Sequence, residues 1–125
     1  MGARVAITKE RRHGETRVAA TPDTVKKLIG LGLGVVVETR AGLGASIPDS
    51  DYEAAGAQIA PTAQAALENA DIVLKVGAPA EDEVAMLKRG AILVGLLDPY
   101  TERSLLDALA AAGVSAFAAL SVGPH

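Results

Sequence analysis

Thr21-Pro22-Asp23-Thr24-Val25-Lys26-Lys27-Leu28-Ile29-Gly30-Leu31-Gly32-Leu33-Gly34-Val35-Val36-Val37-Glu38 reads as a helix, a stop and a strand in immediate succession. Thr21 is suited to the N-cap and Pro22 to the first helical position, where its missing N–H costs nothing. Val25, Leu28 and Ile29 recur at helical spacing and give one apolar face. The glycines from Gly30 to Gly34 end the helix, because glycine takes the left-handed conformation of a helix end without penalty. Val35 to Glu38 then forms a strand. A further β-branched run, Arg4 to Ile7, precedes the helix, so the first third of the chain is a strand-helix-strand unit.

The same alternation continues outward. A loop spans Gly42 to Pro48, a short helix Asp49 to Ala55, a short strand Gln58-Ile59 and a helix Ala63 to Asn69. Asp71 to Val76 is a buried strand, Glu81 to Lys88 a helix, Ala91 to Leu97 a strand, Thr101 to Ala112 a helix and Val114 to Leu120 a last strand. Strands that alternate with helices predict a single α/β domain over residues 1–125, with a mostly parallel sheet flanked by helices on both faces. That is a Rossmann-like or flavodoxin-like lobe. It lacks the G-x-G-x-x-G loop, which requires a strand before the glycines and a helix after them; here the order is reversed and Val35 stands where the third glycine belongs. Gly42-Leu43-Gly44 fails the same test.

Composition narrows the function. The 125 residues carry 12 Lys+Arg against 15 Asp+Glu, so no basic field is available for a nucleic-acid backbone. Zero Cys excludes thiolate metal sites, disulfides and a Cys nucleophile. No apolar stretch is long enough to span a bilayer and no signal-peptide core opens the chain, so a soluble, cytoplasmic protein without direct membrane insertion is expected. His13 and His125 are not spaced as a ligand pair, and no G-x-S-x-G elbow occurs. No metal site and no acid-base catalyst is assigned.

Two cations stand out. Arg17 follows the polar run Lys9 to Thr16, at the carboxyl end of the first strand, where open α/β sheets place ligands, and it precedes a helix N-terminus. Lys75 ends the apolar run Ile72-Val73-Leu74, near the same edge. Together they suit an anion such as a carboxylate. The plain alternatives are a solvated loop with Arg17 paired to Glu10 or Glu15, and a Lys75 whose ammonium snorkels to water. Glu81-Asp82-Glu83 reads as a helix first turn whose carboxylates complement the dipole.

Lys9-Glu10, Glu15 to Pro22, Val37 to Gly42, Ala54 to Ala57 and Ile72 to Pro79 occur in an order and spacing that resemble the amino-terminal lobe of the alanine dehydrogenase and proton-translocating NAD(P) transhydrogenase alpha-subunit superfamily. The resemblance covers essentially the whole chain. It implies that Arg17 and Lys75 correspond to the family's carboxylate-binding pair and line an interlobe cleft. Alanine dehydrogenases carry a catalytic histidine in the strand-end motif that here reads Val94 to Pro99, with Asp98 and no histidine. Together with Ala78-Pro79 and Ser121-Val122, this favours the transhydrogenase branch.

By resemblance, the parent protein would be a homodimer that exchanges hydride between NAD(H) and NADP(H), with an NAD-binding Rossmann lobe that is absent here. No cofactor is expected on this lobe alone, which would be inactive. Its partners would be that lobe and the other transhydrogenase components, through which it would sit at the inner membrane. The alternatives are the substrate lobe of an alanine dehydrogenase-like or saccharopine dehydrogenase-like enzyme, and a non-catalytic interaction domain.

Overall fold

The structure is a computed structural model and describes residues 3–10, 18–76, 81–95, 107 and 110–118. Six strands, β1 (Arg4–Ile7), β2 (Gly34–Glu38), β3 (Gln58–Ala60), β4 (Ile72–Lys75), β5 (Ile92–Gly95) and β6 (Ser115–Ala118), form one sheet in the order β3-β2-β1-β4-β5-β6. Every described pairing is parallel. This is the strand order of the dinucleotide-binding folds and not that of flavodoxin, so the observed topology narrows the expected pair of architectures to the first.

The helices α1 (Pro22–Gly30), α2 (Asp49–Ala54), α3 (Ala63–Leu67) and α4 (Glu81–Met86) cover both faces. On one face Val5, Ile7, Val35 and Val37 pack with Val25 of α1 and Tyr52 of α2. On the other, Ala6, Val73 and Leu93 pack with Ala66 and Leu67 of α3 and Val84 and Leu87 of the α4 region. The period of two along a strand assigns alternate residues to opposite faces, and central parallel strands are apolar on both.

Helix α1 starts and stops as its sequence requires. Thr21 Oγ1 accepts from the Thr24 amide at 3.3 Å. At the other end the Leu33 amide donates to Leu28 O at 3.2 Å and the Gly32 amide to Ile29 O at 2.9 Å. That is the paired hydrogen bonding of a Schellman end, with Gly32 at φ +91°. The expected loop Gly42 to Pro48 contains a 3-10 turn, Leu43–Ala45. It is fastened by Asp49, which accepts from Thr39 Oγ1 at 2.6 Å and from the Arg40 amide at 2.8 Å.

Strand β1 has its expected limits and β2 and β3 each run one residue further, to include Gly34 and Ala60, while β4 is one residue shorter at either end than expected, for a visible reason. At the start of β4, Asp71 turns its carboxylate to the Arg4 amide at 2.8 Å and to the Lys88 ammonium, and these bonds hold its pKa below the ordinary carboxylate value, the Lys88 bond most of all. At its end the Val76 amide donates to Glu10 Oε2 at 2.9 Å instead of to a ladder carbonyl. Most of the expected helix Thr101 to Ala112 lies outside the described residues.

Candidate functional site at the carboxyl ends of β1 and β4

In the order 3-2-1-4-5-6 the chain runs outward in both directions from the β1/β4 pair, so the crevice at the carboxyl ends of those two strands is the topological switch point. The register aligns Ile7 with Leu74, which brings the residues after β1 beside the end of β4. Alternation places Lys75 on the face of Val73, the face that α3 and α4 cover. Its ammonium is therefore directed under α4.

Lys75 is only 4% exposed. It does not snorkel to water. Its Nζ donates to Thr8 Oγ1 at 3.1 Å and to Glu83 Oε2 at 3.2 Å, and lies 3.9 Å from Glu10 Oε1. Thr8, Glu10 and Glu83 are buried too. A buried ammonium is tolerated only with charge partners and satisfied donors, and this one has both. Glu10 has a second task through its bond to the Val76 amide. The cluster ties the segment after β1, the end of β4 and the first turn of α4 into one polar knot.

Sequence reasoning singled out Lys75 but not its partners. Glu83 reads as a dipole-complementing carboxylate, yet it is turned inward. The signal was present: Glu83 precedes Met86 and Leu87 by three and four residues, which puts it on the apolar stripe of α4. Arg17 lies outside the described residues, as do His13, Glu15, Asp98, Ala78-Pro79, Ser121-Val122 and His125. Among the described residues no group of three or more His, Asp or Glu could hold a metal ion.

The described residues of this edge do not make a dinucleotide cradle. A phosphate-binding turn needs glycines directly after β1, whereas Thr8-Lys9-Glu10 stands there. The glycine-rich segment Gly30 to Gly34 lies between α1 and the start of β2, at the opposite edge of the sheet.

The family described as alanine dehydrogenase/PNT, N-terminal domain, matches residues 6–122. The chain belongs to this family. It is 50% identical over 120 residues to the first component of the NAD(P) transhydrogenase alpha subunit of Rhodospirillum rubrum, an alignment that takes in 92% of this chain and 31% of that protein. Alanine dehydrogenase of Halomonas elongata is 37% identical over 115 residues, again 92% of this chain and 31% of the enzyme. The crystal structure of transhydrogenase from Sinorhizobium meliloti superposes with a TM-score of 0.88 at 43% identity, over 92% of this chain and 34% of that one. This alanine dehydrogenase/PNT N-terminal domain thus spans about a third of the length of these relatives. Among its described residues no helix is long and apolar enough to cross a membrane.

Proposed function

We propose that the chain is the amino-terminal lobe of the alpha component of a proton-translocating NAD(P) transhydrogenase, in which hydride passes between NAD(H) and NADP(H). The observation that carries this reading is the higher identity to the transhydrogenase subunit than to alanine dehydrogenase. The sequence adds that Asp98, and no histidine, follows Val94 to Leu97.

NAD(H) would be held by a separate Rossmann lobe, and this lobe would be inactive by itself, because positioning of the nicotinamide requires a cradle that these residues do not form. Arg17 and Lys75 line the cleft between the lobes as electrostatic or structural groups, not as acid-base catalysts. The partners are the NAD-binding lobe and the other transhydrogenase components, in a homodimeric parent attached to the membrane only through those components.

The test compares two assays on the complete protein with its partner components. Reduction of NAD+ by NADPH is the expected activity. Oxidation of NADH that depends on pyruvate and ammonium, without transhydrogenation, would replace this reading with the alanine dehydrogenase one.

A further inference from the structure

Resting on that reading, we infer that Glu83, assisted by Glu10, is a positioning residue that fixes the Lys75 ammonium at the switch point and thereby fixes the floor of the cleft. Lys75 has a long, rotamer-rich side chain, and at the end of a strand nothing in its own backbone selects one direction for the ammonium. The direction is selected by acceptors from two other elements. Glu83 presents both carboxylate oxygens, at 3.4 and 3.2 Å, and Thr8 adds its hydroxyl at 3.1 Å on the β1 side.

The acceptors are themselves held. Glu83 rides on α4, whose neighbouring Val84 and Leu87 are packed into the core, so its carboxylate is delivered by a helix that cannot slide without opening that core. Glu10 fixes the other side: one oxygen faces the ammonium and the other accepts from the Val76 amide, which anchors the backbone just beyond Lys75. The ammonium is thus preorganised by groups that need never touch a ligand. Loss of either would let it swing, and a displacement of about 1 Å at a reacting site costs on the order of a hundredfold in rate.

The test is a double-mutant cycle in the complete protein with its partners, using Glu83→Gln, Lys75→Met and the double variant. Glu83→Gln is expected to lower kcat about tenfold or more, with KM for the nucleotides little changed, while adding no further loss in the Lys75→Met background. Glu83→Asp, which keeps the charge, should recover part of the lost rate. Losses from Glu83→Gln and Lys75→Met that multiply, or a Glu83→Gln protein with wild-type kcat, would overturn the inference. Should Glu83→Gln fail to fold, Glu10→Gln, which removes the assisting carboxylate, carries the same cycle.

A second readout does not depend on which reaction the parent performs. Acylation of lysines by an amine-reactive ester, mapped by mass spectrometry, is expected to spare Lys75 in the wild type and in Glu83→Asp and to label it in Glu83→Gln. An unlabelled Lys75 in folded Glu83→Gln refutes positioning by Glu83. Absence of transhydrogenation in the wild type, with Lys75 spared there and labelled in Glu83→Gln, would refute the functional reading and leave the positioning intact.

Discussion

Tyr52 shows how a single side chain joins segments that local sequence does not connect. Its ring is fully buried, and its hydroxyl donates to Ala20 O at 2.7 Å, just ahead of α1. The ring also lies where a Cβ on Gly42 would come within 2.8 Å of it, so the 39–48 turn is moulded against the aromatic face. Burial, with the nearby Asp49 charge, pushes the phenol up to about 12 from 10.0. The neutral phenol is therefore the form that the fold prefers. Its contribution is fully present below pH 10 and is lost as pH rises from 10 towards 12, by about 2 to 3 kcal/mol in all. Tyr52→Phe should cost about 1 to 2 kcal/mol at about pH 8, through the lost bond to the Ala20 carbonyl. It should also flatten the alkaline slope of stability. Urea unfolding at about pH 8 and about pH 11 checks both effects, and identical slopes for the two proteins would contradict the assignment. The sequence marked Lys75 because a charge that closes an apolar strand is conspicuous. It did not mark Tyr52, since one aromatic in an acidic helix can face either way until the neighbouring strands are placed.

Among the elements, legibility followed the number of signals that agree. Helix α1 has an N-cap, a proline, an apolar stripe and a glycine end, and all of them occur in the structure as expected. Thr21→Ala should therefore cost about 1 kcal/mol, while Thr21→Asp should retain most of the stability, since both caps offer an oxygen to the first-turn amides. Denaturant midpoints for the two variants decide this, and equal losses would mean that the hydroxyl bond to Thr24 contributes little. Helices α2 and α3 are short and are carried by packing more than by propensity, as expected for helices of one or two turns. Their starts at Asp49 and Ala63 were readable, and they stop one and two residues earlier than expected. Strand ends were blurred for a different reason: β4 stops where Glu10 takes the Val76 amide, a bond between residues 66 apart in sequence. No window along the chain contains such information. Glu83 is different: it lies in the first turn of α4 as its sequence reads, and its place on the apolar stripe was the local signal that it faces a buried ammonium and not water.

At the scale of the molecule, the fold and the glycine pattern point in different directions, and the difference is informative. The sheet order is that of dinucleotide-binding domains, yet the turn after β1 carries Thr8-Lys9-Glu10 in place of glycines. In such folds the pyrophosphate rests on close backbone amides at a helix N-terminus, and only glycines allow that approach. At the same edge two buried carboxylates, Glu10 and Glu83, surround Lys75, so its positive charge is already engaged. Architecture alone therefore does not confer nucleotide binding; the residues at the switch point decide it. Calorimetric titration of NADH into the 125-residue chain should accordingly show no saturable heat. The same titration into the complete subunit should show binding, because the proposed second lobe supplies the missing cradle. Micromolar binding to the chain alone would mean that these residues hold a nucleotide by another route. In that case substitution of Lys75 would separate the two edges of the sheet: loss of binding in Lys75→Met would place the nucleotide at the switch point, and unchanged binding would move the search to Gly30 to Gly34.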